Sequence, residues 1–475
     1  MSVAVIAVVI IAVVILLAFV LFEQPIWLAL GASGGIGLIM LSGTGIATDT
    51  LGSVPFTTVA SYSLVIIPMF ILMGIVAAKA GVAEDVFAVA EKLVGRLPGG
   101  LGIATILACG GFAAVTGSSV ATVATVGRIA IKQMTRHGYR ANAAGALVAA
   151  GGTLGVLIPP SVILVVYAAL TGESIGRLLM GGFIPGAVTM LAYSTATVIL
   201  YKRGFFAEPA LARTNEKALV GAGAPTTGTA GGTATGGSDD GGPRIPARQP
   251  VTKRNMIGAV YTAGLMIIVM GGMYSGLFTA TESGAVAAFI AVVMLFIRYR
   301  DRWRELPGAF KESLFDTTSL NSMIFALLIG GGVFAYFLVR TGLPSEMARA
   351  IVDANLSPTL IICVTLAVMV VLGCFLDSFS ILVITIPLVY PVIDAMGVDG
   401  VWFGILVVKA IEIGLITPPV GLNVFVVAGS MKGMTPEGVF RAVVPFIVAE
   451  FATIIVLMAV PDLVTWLPDL AFGPE

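Results

Sequence analysis

The chain has very few of the residues that carry most enzyme chemistry. It contains one histidine and three cysteines among 475 residues. A single histidine excludes an H-E-x-x-H zinc site and leaves no second candidate for a histidine-based triad. His137 lies in a basic segment and is interpreted as a surface residue. Cys109, Cys363 and Cys374 lie in apolar segments without paired spacing, which favours buried packing over a metal site or a disulfide.

ATP hydrolysis by this chain is also excluded, because no G-x-x-x-x-G-K-[ST] loop occurs in the sequence.

Charge is scarce as well. Only 11% of the residues are charged, 58% are hydrophobic, the formal net charge is zero and the mean hydropathy is +1.04. This composition leaves too little polar surface for a water-soluble globule, so it predicts an all-α polytopic membrane protein.

Long apolar runs are what the sequence has in abundance. A bilayer-spanning helix needs about 20 apolar residues, and the runs fall at 3–22, 25–42, 57–80, 101–127, 141–168, 178–201, 255–275, 280–298, 317–340, 358–389, 400–428 and 437–460. We expect about a dozen membrane segments, some of which turn back before crossing. The first run has no basic stretch before it and no cleavage site after it, so it is interpreted as a retained span.

The basic residues concentrate in three loops, at 128–140, 202–254 and 298–311. By the positive-inside tendency all three loops are predicted to be cytoplasmic. This interpretation is preferred to nucleic-acid binding, because short basic loops beside spans are usually topology signals. The middle loop contains a Gly-, Thr-, Ala- and Pro-rich stretch at 214–250, which is typical of a flexible linker.

A Pro-Pro motif occurs twice, in GVLIPPSV at 155–162 and in GLITPPVG at 414–421, with a spacing of 259 residues. The same spacing relates the polar pair Ser118-Ser119 to Asp377-Ser378, which indicates an internal duplication. Loop 128–140 carries four Lys or Arg residues, whereas its counterpart 387–399 carries none and has two aspartates. Corresponding loops are therefore predicted on opposite sides of the membrane, as in inverted-topology repeats.

This duplication predicts five regions. They are scaffold or arm helices of the first half at 1–100, a first transport repeat with a hairpin and a broken helix at 101–200, a flexible cytoplasmic linker at 201–254, scaffold or arm helices of the second half at 255–357, and a second transport repeat at 358–465.

The prolines are predicted to break helices, since proline has no N–H to donate four residues back. The freed carbonyls would be those of Gly155 and Val156 in one half and of Gly414 and Leu415 in the other. Broken helices inside a membrane line cavities or are buried against protein. The alternative is a simple kink whose carbonyls are satisfied by Ser, Thr or water.

Helix ends at the breaks offer carbonyl oxygens to a cation and free N–H groups to a carboxylate. We predict sodium ligands among Ser118, Ser119, Thr153, Gly155, Val156, Asp377, Ser378, Gly414, Leu415 and Thr417. We predict substrate contacts among Ser118, Pro159, Pro160, Ser161, Pro418, Pro419 and Asn423. No other metal and no organic cofactor are expected.

Four ionisable residues in apolar runs have competing interpretations. Asp377 is read as a proton carrier or sodium ligand, with a helix cap as the alternative. Lys409 and Glu412 are three residues apart and are expected to pair with each other. Glu282 in the segment ATES is expected to form a capping box.

The sequence resembles the DctM family, the large membrane subunit of tripartite ATP-independent periplasmic (TRAP) transporters. The resemblance is carried by 151–186 (GGTLGVLIPPSVILVVYAALTGESIGRLLMGGFIPG), 411–429 (IEIGLITPPVGLNVFVVAG), 271–283 (GGMYSGLFTATES) and 67–74 (IPMFILMG). It implies uptake of organic acids, often carboxylates, by sodium symport across the bacterial inner membrane, with two re-entrant hairpins moving as an elevator. It also implies two partners, a periplasmic substrate-binding protein and a small four-helix membrane subunit of the DctQ type, expected here as a separate polypeptide.

Other functions remain open from the sequence. A sodium-coupled carboxylate or citrate-type carrier would work without a binding protein. A membrane-embedded enzyme would need clustered His, Asp or Cys residues at a membrane face, and a passive channel would need no ion gradient. The identity of the organic acid is not encoded in these motifs.

Overall fold

The computed structural model describes residues 2–207, 252–354, 357–431 and 433–473, and the predicted linker at 214–250 lies outside these ranges. In the described ranges the regular secondary structure is helical. The helices are α1 (Val3–Leu21), α2 (Ile26–Val59), α3 (Ile66–Lys79), α4 (Val82–Val94), α5 (Gly100–Thr116), α6 (Ser119–Arg136), α7 (Ala141–Leu157), α8 (Val162–Thr171), α9 (Ile175–Gly181), α10 (Phe183–Lys202), α11 (Lys253–Tyr274), α12 (Ala280–Arg298), α13 (Leu306–Thr341), α14 (Leu343–Asp353), α15 (Pro358–Gly373), α16 (Ser378–Ala395), α17 (Gly400–Leu415), α18 (Leu422–Ser430), α19 (Pro436–Ala459) and α20 (Asp462–Phe472).

Within the described ranges, nine helical stretches are long and apolar enough to cross a membrane, or ten if the bent pair α7–α8 counts as one span. The prediction of an all-α polytopic membrane protein is confirmed. The number is below the expected dozen because the runs 101–127 and 400–428 contain no full span: α5 and α17 have 17 and 16 residues. A full crossing needs about 20 residues.

One group of helices is organised around α2 and α13, which pack along each other. Helix α2 is kinked at Gly43, whose φ is 83°. The same group contains α1 against α2, and α3 against α12 and α13. A Cβ added to Gly34 would lie 2.8 Å from the Cα of Phe334, so the two backbones approach closely there. Small residues permit such close helix contacts in membranes. We call this group, with α11, the scaffold group.

A second group surrounds two broken helices, α7–α8 and α17–α18. Helix α7 packs against α5 and α6, and α17 packs against α15 and α16. We call α5–α6 the first hairpin and α15–α16 the second hairpin. All residues from Ala143 to Leu157 of α7 are buried, and so is nearly all of α17. The broken helices therefore form the centre of this group.

The helix bounds follow the spacing of 259 residues noted in the sequence. Helix α6 spans 119–136 and α16 spans 378–395, and α7 and α17 begin at 141 and 400. Both Pro-Pro bonds, Pro159–Pro160 and Pro418–Pro419, are cis.

Two smaller expectations are also decided by the contacts. Glu282 accepts from the backbone N–H of Thr279 at 2.8 Å, and the Thr279 hydroxyl accepts from Glu282 N in return. The capping box is confirmed.

Cys109 and Cys374 are buried as expected, but Cys363 is exposed, because it lies on the outward face of α15.

Candidate functional site

The tip of the first hairpin rests on the first helix break, residues 158–161. Helix α5 ends at Thr116, and Gly117 adopts a left-handed conformation with φ of 57°. A Cβ on Gly117 would lie 2.6 Å from the carbonyl oxygen of Pro160. Ser118 then caps α6 by accepting from Ala121 N at 3.4 Å. A larger residue at 117 would separate the tip from the break.

On the N-terminal side of the first break, α7 makes a second close contact with the first hairpin. A Cβ on Gly155 would lie 2.6 Å from the carbonyl oxygen of Ser118. On its C-terminal side the buried Ser161 caps α8 by accepting from Leu164 N at 3.4 Å. Among the described residues, no backbone N–H outside the regular helices donates to the carbonyl of Gly155 or Val156. The bend between α7 and α8 is 45°.

The tip of the second hairpin is held by Asp377. Its carboxylate caps α16 by accepting from Phe379 N at 3.1 Å and from Ser380 N at 3.2 Å, and it also accepts from the Ser380 hydroxyl. These hydrogen bonds are the ones expected if Asp377 caps α16, which was the alternative interpretation of this residue. A sodium-ligand role for Asp377 stays a prediction.

The second break, residues 416–421, is bound to the second hairpin through the backbone. Val420 N and Gly421 N both donate to the carbonyl of Cys374 at 3.2 Å. A Cβ on Gly414 would lie 2.4 Å from the Cα of Gly373. The prediction that the Gly414 carbonyl is free is wrong. It accepts from Thr417 N at 3.0 Å, because the last turn of α17 tightens before the prolines.

A buried ion pair lies between α17 and α19. Lys409 Nζ contacts the carboxylate of Glu450, and both side chains are fully buried. The expected pair between Lys409 and Glu412 is therefore wrong, since Glu450 on α19 lies closer to the amine. Lys409 also donates to the Thr189 hydroxyl at 2.9 Å.

The ion pair extends into a hydrogen-bond network. The Tyr193 hydroxyl and the Thr153 hydroxyl both donate to Glu450 Oε1, the latter at 3.1 Å. Thr153, one of the predicted sodium ligands, thus faces Glu450. Fully bonded buried networks of this kind rigidify the helices that contribute to them.

Two predicted residues from different halves meet beside Glu412. Asn423 Nδ2 donates to the Ser119 hydroxyl at 2.7 Å, and the Ser378 hydroxyl donates to Glu412 Oε1 at 3.3 Å. Ser119 and Ser378 are the first residues of α6 and α16. Through these bonds the tips of both hairpins lie beside the second broken helix, at Glu412 of α17 and Asn423 of α18.

A cavity of about 370 Å³ separates the first hairpin from the scaffold group. It is lined by α3 and α13 on one side, and on the other by the first hairpin with Val162 of α8 and Phe379 of α16. Its polar lining includes Ser118, Thr125, Arg128, Lys79 and Asp316. Lys79 is already paired with Glu312 at 2.7 Å. Arg128 is exposed, and its Nε donates to the Ala124 carbonyl at 3.1 Å, its one hydrogen bond to the described part of the chain.

The predicted substrate contacts are divided by the fold. Only Ser118 among them lines this cavity in the described residues. Pro159, Pro160 and Ser161 are buried at the first break, Pro418 and Pro419 are exposed at the second break, and Asn423 is fully buried.

Sequence reasoning missed two residues of this region. Arg128 was interpreted only as a topology signal, and Glu450 was not considered. Glu450 carried a detectable signal, because an ionisable residue in an apolar helix is a functional candidate by default. Arg128 carried none, since its position at the cavity depends on how the first hairpin packs.

Three comparisons bear on this fold. A family model described as the DctM component of the tripartite ATP-independent periplasmic transporter matches residues 13–463. The C4-dicarboxylate TRAP transporter large permease protein DctM of Pseudomonas aeruginosa is 34% identical over 443 residues, which cover 93% of this chain and 94% of that one. The isethionate TRAP transporter permease protein DctMQ of Oleidesulfovibrio alaskensis is 30% identical over 453 residues, covering 93% of this chain and 64% of that one.

A solved structure has a similar fold. The YdaH transporter of Alcanivorax borkumensis superposes with a TM-score of 0.61 and 16% sequence identity, covering 96% of this chain and 99% of that one. At this identity the likeness concerns the fold alone. The sequence relatives are permeases rather than enzymes.

Proposed function

Because the chain belongs to the DctM family of tripartite ATP-independent periplasmic transporters, we propose that it imports an organic acid by sodium symport with an elevator mechanism. It would do so as the large permease subunit, which receives its substrate from a binding protein. No ATP hydrolysis by this chain is involved.

The observation that carries this proposal is the exchange of contacts between the halves. Helix α8, after the first break, packs on α16 of the second hairpin, and α18, after the second break, packs on α6 of the first hairpin. Both tips and both breaks therefore belong to one body. Two inverted repeats with re-entrant hairpins produce such a body in secondary transporters.

Sodium ions would bind where hard oxygen ligands meet the negative ends of broken helices. The carbonyls of Gly155 and Val156 and the hydroxyls of Ser119 and Ser378 supply such oxygens. The carbonyl of Leu415 is a further candidate, whereas Thr153, Gly414 and Thr417 are weaker ones. The hydroxyls of Thr153 and Thr417 and the carbonyl of Gly414 already have hydrogen-bond partners.

The substrate would enter the cavity between the first hairpin and the scaffold group. A carboxylate there meets Arg128, whose planar guanidinium suits bidentate binding of an acid group, and the hydroxyl of Ser118. The sequence relatives are named for C4-dicarboxylate and for isethionate, so we take an organic acid as the class and leave the compound open.

Arg128→Gln tests this cavity. We expect the KM for the transported acid to rise about tenfold or more, because a charge-assisted pair contributes roughly 1.5–3 kcal/mol, while the protein remains in the membrane. Arg136→Gln, in the same helix but outside the cavity lining, is the matched control. An unchanged KM in Arg128→Gln would remove the cavity from the substrate path.

The elevator would move the body formed by the hairpins and the broken helices against the scaffold group. The cavity lies at the junction between these two groups, where a bound acid would be carried across. Long helices such as α2 and α13, which pack closely along each other, suit a fixed scaffold.

Two protein partners complete the proposed system in the bacterial inner membrane. One is the periplasmic substrate-binding protein and the other is the small four-helix subunit. About one third of the relative DctMQ lies outside the segment matched here, because the match covers 64% of that protein. The combined name of that relative supports a small subunit of the DctQ type as the second partner.

The experiment is uptake of a panel of labelled organic acids into proteoliposomes that contain the chain and the small subunit, with and without the binding protein. We expect uptake of one acid class only when the binding protein is present. Equal uptake without it would instead favour a stand-alone carrier.

A further inference from the structure

A second cavity, of about 350 Å³, lies between α11 and α12 at the ends of these helices that carry the predicted cytoplasmic loops. We call it the interface cavity. Its charged lining residues are Arg254 in the first turn of α11, Arg298 at the last position of α12, and Asp301 just beyond. It shares no lining residue with the cavity beside the first hairpin, so it is a separate site.

The lining of the interface cavity changes from charged to apolar toward the membrane interior. On α11 it passes from Arg254 to Ile257 and Tyr261, a distance of about 10 Å along the helix. On α12 it includes Met294 and Ile297. Ile257 and Ile297 are 68% and 66% exposed, so the apolar part of the cavity opens to the hydrocarbon of the bilayer. One phospholipid has the same division, with its phosphate at the interface and its acyl chains in the hydrocarbon.

The guanidinium of Arg298 is fixed by the protein and still has one side available. Its Nη2 donates to both carboxylate oxygens of Asp85, at 3.0 and 2.8 Å, and its Nε donates to the Ala80 carbonyl at 2.9 Å. Asp85 is fully buried and also accepts from Asn255 Nδ2 at 3.0 Å. Nη1 of Arg298 makes no hydrogen bond to the described part of the chain. It is therefore available to an anion in the cavity.

Positive charge predominates around the interface cavity. The segments 252–254 and 298–304 contain six Lys or Arg residues and one acidic residue, Asp301, which opposes an anion. Trp303 is 67% exposed, and tryptophan is enriched at the headgroup level of membranes. Cytoplasmic leaflets carry anionic lipids, and basic pockets between spanning helices bind their headgroups. The charges therefore favour an anionic phospholipid over a zwitterionic one.

We propose that the interface cavity binds one anionic phospholipid, with its phosphate held by Arg254 and by Nη1 of Arg298. An acyl chain lies against Ile257 and Ile297. Arg254 is exposed, and the carboxylate within its electrostatic range, Asp85, is already paired with Arg298. Arginine suits this role because its planar guanidinium forms charge-assisted hydrogen bonds with phosphate oxygens.

The bound lipid would strengthen a junction of three helices. Asp85 belongs to α4, which packs on α5 of the first hairpin and on α11. A side chain at Gly258 of α11 would overlap the Asp85 carboxylate, so glycine at this position lets Asp85 reach Arg298. A phosphate on the same guanidinium acts on the contact of α4 with α11 and α12. We therefore expect the lipid to stabilise the fold, whether or not the chain transports an acid.

The test is lipid binding to the purified full-length chain after delipidation in detergent, followed by native mass spectrometry. Dioleoylphosphatidylglycerol is compared with dioleoylphosphatidylcholine, which has the same acyl chains and no net charge. We expect one phosphatidylglycerol to be retained at concentrations that give no phosphatidylcholine adduct, and the unfolding midpoint to rise with phosphatidylglycerol alone. Equal retention of the two lipids would overturn the proposal.

Arg254→Gln tests the proposed phosphate contact. The affinity for phosphatidylglycerol should fall about tenfold or more, because one charge-assisted contact is lost. Lys253→Gln is the matched control, since Lys253 is a neighbouring exposed cation that does not line the cavity. It should bind the lipid as the wild type does. Equal weakening in both variants would indicate a diffuse basic surface and contradict a defined site.

Two other occupants are outcomes of the same spectra. Inorganic phosphate that displaces phosphatidylglycerol at equal concentration would indicate a site for a free anion rather than for a lipid. A dimer that forms in the wild type without any lipid adduct, and is lost in Arg254→Gln, would assign the cavity to a second copy of the chain. Either result would refute the lipid site, and neither depends on the proposed uptake of an acid.

Discussion

At the scale of single residues, helix capping accounts for several polar side chains around the breaks. Ser118, Ser161 and Asp377 each accept from the first turn of the helix that follows them. Such bonds satisfy N–H groups that would otherwise be exposed at membrane depth. The tips are thus ordered by the chain itself, and the atoms left for a ligand are carbonyls, hydroxyls and the Glu412 carboxylate.

Asp377→Asn separates the cap from an ion-binding role. Asparagine caps helices about as well as aspartate, so α16 should persist while the negative charge is lost. If Asp377 binds sodium, we expect uptake to lose its sodium dependence at an unchanged amount of protein in the membrane. Asp399→Asn is the matched control, because Asp399 caps α17 through Trp402 N at 2.6 Å. Sodium dependence equal to wild type in both variants would leave Asp377 as a cap only.

Lys409→Met tests the buried ion pair. Removing the amine leaves Glu450 buried without its cation, which costs about 3 to 5 kcal/mol. We expect a clearly lower unfolding midpoint in detergent, followed by tryptophan fluorescence. The double variant Lys409→Met/Glu450→Gln should recover most of the loss, since no unpaired charge remains. A single variant as stable as the wild type would mean that Glu450 is neutralised by another group.

At the scale of elements, glycines allow hairpins and broken helices to touch through their backbones. Gly117 and Gly155 permit the first tip to contact its break, and Gly373 and Gly414 do the same for α15 and α17. A side chain at these positions would meet backbone atoms, which cannot rotate away. The proline breaks are therefore tied to the hairpins by steric fit as well as by hydrogen bonds.

Gly155→Ala should disturb this fit. The added Cβ lies 2.6 Å from the Ser118 carbonyl oxygen, so the tip must move, at a cost of about 1 to 3 kcal/mol. We expect initial uptake rates to fall at least about tenfold. Gly264→Ala in α11 is the control, because no described atom lies within 4 Å of its added Cβ. Equal rates in both variants would show that the contact between tip and break is not needed for transport.

Helix positions were more accessible to sequence reasoning than side-chain partners. The apolar runs and the repeated Pro-Pro motif predict the membrane fold, and the bounds of α6 and α16 share the spacing of 259 residues. The partner of Lys409 was not predictable, since it lies 41 residues away on another helix. The contact between Asn423 and Ser119 joins residues 304 apart. Such pairs depend on how the helices cross, which local spacing does not encode.

At the scale of the whole molecule, a scaffold group and a group of hairpins and broken helices enclose a cavity of about 370 Å³ between them. The helices proposed to bind substrate and ions lie on one side of this cavity, and the long packed helices α2 and α13 lie on the other. The proposed transport cycle moves one group past the other. Sodium would drive this cycle only if its binding and that of the acid are linked.

The measurement that tests this account most directly is accumulation of the transported acid in proteoliposomes with both partners present, at a clamped membrane potential. An inward sodium gradient is compared with equal sodium on both sides. The account predicts accumulation above the external concentration only with the gradient. Accumulation that is independent of the gradient, or uptake that merely equilibrates under the gradient, would contradict sodium-coupled transport.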